Sequence, residues 1–231
     1  MRIAIIPARG GSKRIPKKNI KNFCGVPIIS YSIRAAIESG LFEKVMVSTD
    51  SEEIACLARK YRADVPFFRS NKTSSDFATT SDVLEEVIMQ YRDNEIEFDT
   101  FCCLYPTAPF VTPEKLKAAA KLFEEKNAES VLTIVKYSYP PQRSIIVRDG
   151  LASFQYIENR YKRSQDLEPI YHDAGQFYFI QTSAFIEQHD LVLKRTVPFL
   201  VDEMEVQDID NETDWNIAEI KYQIMRHSYG E

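Results

Sequence analysis

The first 37 residues of this 231-residue chain hold no acidic side chain; Glu38 is the first. No apolar run approaches the roughly 20 residues of a membrane span, which excludes an integral helix. The opening MRIAIIPARGG is too short and too early in its apolar stretch for a signal peptide and reads as a first β-strand. Without an export signal, the cytoplasm is the expected compartment. Cysteine is scarce: Cys24, Cys56, Cys102 and Cys103 show no CxxC spacing. This excludes a disulfide framework and leaves reduced, mostly buried thiols. With three histidines in the whole chain, a zinc cluster is equally ill-supplied. The net charge of −5 argues against a general nucleic-acid binder.

The distribution of charge says more than its sum. The acid-free stretch carries Arg2, Arg9, Lys13, Arg14, Lys17, Lys18, Lys21 and Arg34. Asp202 to Asp214 holds Asp202, Glu203, Glu205, Asp208, Asp210, Glu212 and Asp214, with no base. A metal–polyphosphate site requires both kinds of charge on one ligand.

Short β-branched runs alternate with helical patterns. Arg2–Pro7, Lys44–Thr49, Thr100–Leu104 and Ser130–Val135 read as strands. Ile28–Ser39, ending at Gly40, Ser51–Arg62 and Thr80–Asn94 read as helices, and Pro113 opens another after a Thr112 cap. This alternation predicts one α/β domain over residues 1–231: a mostly parallel sheet with helices on both faces. Ligands bind beyond the carboxyl ends of such strands. From Tyr137 to Tyr171 the pattern gives way to a β-hairpin or meander around Asp149-Gly150, and the core pattern resumes at Gly175–Ile180. This insertion is too small for a core of its own and reads as an arm that packs on another subunit.

Ala8 to Asn19, ARGGSKRIPKKN, follows the first strand directly. Gly10 and Gly11 let the backbone approach a ligand and turn N–H groups towards it. Lys13, Arg14, Lys17 and Lys18 place four cations within six positions, as phosphates require. Neither GxxxxGK[ST] nor GxGxxG is present. Near the other end, Asp208 and Asp210 are two apart. In an extended segment they share a face and offer hard oxygen ligands suited to Mg²⁺.

The loop resembles the signature of the CMP-sialic acid synthetases and their relatives, the cytidylyltransferases of nonulosonic and ulosonic sugars. Three further stretches resemble that family in order: Val47-Ser48-Thr49-Asp50, Leu104 to Pro109 (LYPTAP), and Asp208-Ile209-Asp210 followed by Asp214-Trp215. The resemblance implies a Rossmann-like nucleotidyltransferase fold with a small β-rich dimerisation arm. It implies that Arg9, Ser12, Lys13 and Lys18 hold the phosphates of CTP, with Asn19 beside them and Lys18 as the catalytic cation. Arg69 would lie near the cytosine, and Asp208 and Asp210 would bind the metal. The partners implied are CTP, an acidic nine-carbon sugar and a second copy of the chain.

The sugar side departs from the sialic pattern. Tyr105 stands where that family has a glutamine, Val111 where it has an arginine, and His172-Asp173-Ala174-Gly175 where it reads RPNG. A hydrogen-bonding site discriminates strongly against the wrong partner, so N-acetylneuraminate is not the expected substrate. LYPTAPF, RSQDL and YHDAGQFY resemble the pseudaminic acid branch of the family. Arg163 and Gln165 would then face the sugar, Arg163 pairing with its carboxylate. His172 would line the site. The reaction implied is in-line attack of the anomeric hydroxyl on the α-phosphorus of CTP, with no residue marked as the base. Legionaminate, N-acetylneuraminate and ketodeoxyoctonate are the alternative acids.

Overall fold

The first strand, β1 (Arg2–Pro7), is buried along both faces, as a strand covered by helices on either side must be. The computed structural model describes residues 1–228. After β1 and a loop come a small hairpin, β2 (Asn22–Phe23) and β3 (Val26–Pro27), then α1 (Ile29–Ser39), β4 (Lys44–Ser48), α2 (Glu52–Lys60), α3 (Thr80–Asp93), β5 (Thr100–Leu104), α4 (Pro113–Glu125) and β6 (Ser130–Lys136). The hairpin β7 (Ile145–Arg148) and β8 (Leu151–Phe154) precedes β9 (Tyr171–Gln181), α5 (Thr182–Gln188), β10 (Thr196–Leu200) and α6 (Glu212–Ser228).

The central sheet has the order β10-β6-β9-β5-β1-β4. Five strands run one way and β9 runs against both its neighbours. Period-two alternation divides the core. Ala4, Ile6, Val45, Val47, Cys102 and Leu104 pack under α1, α2 and α4, while Ile3, Ile5, Met46, Phe101 and Cys103 pack under α3 and α5. The α/β class, mostly parallel sheet and two helical layers expected from the sequence are what the structure has. No helix among the described residues is long and apolar enough to cross a membrane.

Helix starts are fixed by local chemistry at the carboxyl ends of the strands. Ser51 caps α2, Thr112 caps α4 with Pro113 behind it, and Thr79 and Asp82 form a reciprocal capping box on α3. Gly40, at φ 65°, ends α1.

Between β6 and β9, Asp149 (φ 51°) and Gly150 (φ 77°) make the left-handed pair of a two-residue hairpin turn. Val147, Leu151 and Tyr161 of this segment are 70%, 75% and 83% exposed, and none of its residues joins the buried apolar clusters among the described residues. Two details differ from the sequence expectation. The central strand begins at Tyr171 rather than near Gly175, because Tyr171, His172 and Asp173 pair with Lys136, Val135 and Ile134. The sheet also gains an outer strand, β10, beside β6.

Candidate active site

A cleft of about 530 Å³ opens beyond the carboxyl ends of β1 and β5. The loop after β1 forms one wall and residues 70–80 the other, with Tyr105, Pro106 and Thr107 after β5 and Asp210 completing it.

The loop after β1 is shaped by contacts at both ends. The Gly10 N–H donates to Asp50 Oδ1 at 2.8 Å, and a Cβ on Gly10 would come within 3.1 Å of the Ser51 Cβ, a contact tight enough that a side chain there would press on Ser51. Asn19 Nδ2 donates to the Arg9 carbonyl at 2.9 Å and closes the loop. The Ile15 side chain is buried with Phe23, Ile209 and Trp215 and anchors the middle. Lys17 sits in the left-handed region (φ 54°) before the 3-10 turn Lys18–Ile20. The basic residues consequently diverge. Lys17 pairs with Glu53 at 2.7 Å, and Lys21 pairs with Glu212 at 2.5 Å while lying over the Trp215 ring. Arg9, Ser12, Lys13, Arg14 and Lys18 line the cleft.

Lys18 meets the acidic segment. Its ammonium donates to the Ile209 carbonyl at 2.7 Å. The Ile209 side chain is buried while Asp208 is exposed and Asp210 half-exposed, so the flanking carboxylates share the opposite face. Burial pushes the Lys18 pKa down; Asp210 and Asp208 pull it back up, and Arg14 and Arg9 oppose them. Arg14 Nη1 lies 2.6 Å from Asp210 Oδ2. Asp214 Oδ2 accepts from the backbone N–H groups of Asp210 (3.0 Å) and Asn211 (3.1 Å) and pins this corner to the start of α6. No group of three or more His, Cys, Asp or Glu side chains among the described residues is arranged to hold a metal ion. Two adjacent carboxylates remain a fitting partial set for a hard cation whose other ligands come from phosphate and water.

Two features of the cleft had no mark in the sequence. Asp76 bridges Arg9 (2.7 Å) and Lys13 (2.5 Å) from the opposite wall, which holds its carboxyl below the usual range. An acid within a serine- and threonine-rich loop has no pattern to single it out. The second is Arg14's bond to Asp210. Arg69 donates from Nε and Nη2 to the hydroxyl and carbonyl oxygens of Ser48, both at 2.9 Å, and burial pushes its pKa down to about 10.

The residues expected on the sugar side divide. Tyr105 lines the cleft, its hydroxyl 3.4 Å from Thr80 Oγ1. Arg163 is tied to Asp166 by two bonds, at 2.8 and 3.0 Å, with Gln165 exposed in the same turn. His172 lies against Tyr137, ring centroids 4.6 Å apart. In the single chain, Arg163, Gln165 and His172 stand apart from the cleft residues, on the arm and at its junction with β9.

Comparison with known proteins converges on one family. The family described as Cytidylyltransferase matches residues 3–218. The chain is 39% identical over 227 residues to a pseudaminic acid cytidylyltransferase of Campylobacter jejuni, covering 98% of both. It is 36% identical over 229 residues to a CMP-N,N'-diacetyllegionaminic acid synthase of Legionella pneumophila, covering 94% of both. Among solved structures, a CMP:2-keto-3-deoxy-manno-octonic acid synthetase complexed with CTP superposes at TM-score 0.68 over 98% of this chain and 99% of that one, at 16% identity. A 4-diphosphocytidyl-2C-methyl-D-erythritol synthase from Anaerococcus prevotii superposes at 0.66 over 96% of this chain and 98% of that one, at 12% identity. At such identities the structural likeness speaks for the fold.

Proposed function

The chain belongs to the cytidylyltransferase family, and from that premise we propose that it transfers CMP from CTP to pseudaminic acid and releases pyrophosphate. The anomeric hydroxyl oxygen attacks the α-phosphorus, the bond from that phosphorus to the β-phosphate oxygen breaks, and the hydroxyl proton passes to a base in the surrounding water. The observation that carries this reading is the meeting of Lys18 with the Asp208–Asp210 segment at the mouth of a cation-lined cleft.

The work of the chain's own residues is charge neutralisation and alignment. Arg9 and Lys13 leave Asp76 for the triphosphate, with Ser12 and the Gly10-Gly11 backbone beside them. Lys18 stabilises charge on the oxygens of the reacting phosphorus and the leaving group. Arg69 lies at the base end, and Tyr105 faces the sugar. Asp208 and Asp210 would hold Mg²⁺, which when bound supplies charge neutralisation and orients the phosphates.

The enzyme works in the cytoplasm, where CTP is available, and as a homodimer. The exposed apolar side chains of the 137–171 arm are the dimer contact, and they bring Arg163, Gln165 and His172 to a sugar site shared between subunits. Solution mass tests the dimer. A second acid, legionaminate, is favoured by the 36% identity to the Legionella enzyme.

The decisive assay measures pyrophosphate release with CTP and Mg²⁺ across pseudaminate, legionaminate, N-acetylneuraminate and ketodeoxyoctonate. The highest kcat/KM is expected with pseudaminate. A higher value for another acid reassigns the substrate, and release with none of them sinks the reading.

A further inference from the structure

The antiparallel strand β9 carries an irregularity next to the cleft. Tyr178 pairs with Leu132 and Asp173 with Ile134, so two steps on β6 face five on β9. In a regular strand, residues five apart lie about 16 Å from one another and point to opposite faces. Here the backbone folds back through Gly175, at φ 61°, and Asp173 hydrogen bonds to Tyr178. One carboxylate oxygen of Asp173 accepts from the Gly175 N–H at 2.8 Å and the other accepts the Tyr178 hydroxyl proton.

Tyr178 is 2% exposed, and its ring meets that of Tyr105 edge-on, at 5.7 Å and 82°. The bulge also reaches the Tyr105 backbone. The Tyr105 N–H donates to the Gln176 carbonyl at 2.9 Å, and the Tyr105 carbonyl accepts from Ser32 at 2.7 Å. Tyr105 thus has its main chain tied on both sides, and its ring is set by Tyr178 and Thr80. It is this ring that enters the cleft. Burial keeps both phenols protonated, Tyr105 being pushed up to about 12, so each remains a neutral hydroxyl at working pH.

We propose that Asp173, acting through Tyr178, is a positioning residue that seats Tyr105 against the sugar and thereby sets which acidic sugar the enzyme accepts. The proposal rests on the nonulosonic acid reading above. Its physical basis is that a polar contact discriminates only when its donor or acceptor is held in place, and a shift of about 1 Å can cost on the order of 100-fold. The group met by Tyr105 is a hydroxyl or amide substituent of the acid.

The test compares kcat/KM for pseudaminate and N-acetylneuraminate, together with KM for CTP, in Tyr178→Phe, Asp173→Ala and Asp173→Asn. Tyr178→Phe keeps the ring volume and frees one oxygen of the exposed Asp173 carboxylate and one contact of the Tyr105 hydroxyl, while the other Asp173 oxygen keeps the Gly175 N–H, so the fold survives. The ratio of the two kcat/KM values should fall about tenfold in Tyr178→Phe and Asp173→Ala, a partial loss of that positioning term, while KM for CTP stays within about twofold. Asp173→Asn, whose single amide oxygen can still accept from Tyr178 but then turns its NH2 towards the Gly175 N–H, should recover part of the ratio. An unchanged ratio in a folded Tyr178→Phe overturns the proposal, as does a change confined to KM for CTP or an Asp173→Asn ratio as poor as that of Asp173→Ala. A wild-type enzyme inactive on every nonulosonic acid would instead overturn the substrate reading itself.

Discussion

Lys18 and Ile209, 191 positions apart in the chain, are joined by a 2.7 Å hydrogen bond from ammonium to carbonyl, and the carbonyl belongs to the residue between Asp208 and Asp210. The basic start of the chain and its acidic end therefore meet at one point. A lysine held there sits beside two carboxylates and is desolvated by its surroundings. Both features matter for the role proposed for this cation, facing developing phosphate charge.

Replacing Asp208 by Asn should lower turnover by two or more orders of magnitude, in line with the loss of a group that stabilises charge at the reacting centre. Asp208 is exposed and contributes nothing to the core, so the thermal midpoint should hold. Wild-type turnover by this variant across a Mg²⁺ titration would remove the aspartate pair from the metal site.

Burial sets the sign of the pH dependence at Lys18. Its pKa lies below the ordinary lysine value of 10.5, so the ammonium is complete at low pH and is lost as pH rises through the lowered value. The alkaline limb of the kcat profile should fall below pH 10.5, and Lys18→Arg, with a guanidinium that stays charged, should move that limb upward. Identical limbs in the two proteins would separate Lys18 from the titration.

Asp76 holds Arg9 and Lys13 across the cleft. Asp76→Asn removes that internal anion, so KM for CTP should drop a few-fold, most clearly at low ionic strength where exposed charges are least screened. A KM that rises instead would make Asp76 a contact for the substrate complex.

Much of this cleft is legible in the sequence, but unevenly. The parallel strands announced themselves because burial on both faces demands continuous apolar runs, and the cleft at their carboxyl ends followed. Asp208 and Asp210 stood out by their spacing together with the resemblance to the family's Asp-x-Asp pair. The β9 bulge was not: the five-residue reach from Asp173 to Tyr178 depends on Gly175 adopting a positive φ, which a single glycine in a strand does not announce. Asp76 escaped for a related reason, since its partners lie more than 60 positions away and come from tertiary structure alone. Strand β10 escaped because its side chains are only half-buried and lack a clean alternation.

Arg69 braces the carboxyl end of β4. Its guanidinium satisfies both oxygens of Ser48 at the end of β4, so Arg69→Ala should cost about 1.5–3 kcal/mol in chemical denaturation, the range for hydrogen bonds that involve a charged group. Arg69→Lys should recover only part of this, because a point charge cannot make both bonds of the fork. A loss below about 0.5 kcal/mol, the level of ordinary surface changes, would mean the two bonds contribute little.

A double-mutant cycle on Lys18 and Asp210, read as the single-turnover rate of CMP transfer, asks whether the two groups act on the same triphosphate. Groups that serve one transition state as a unit are strongly non-additive. The expected result is that Lys18→Ala combined with Asp210→Asn is about as slow as the slower single variant. Two losses that multiply in full would show the lysine and the aspartate acting independently, and the convergence seen between Lys18 and the Asp208–Asp210 segment would have no part in the chemistry.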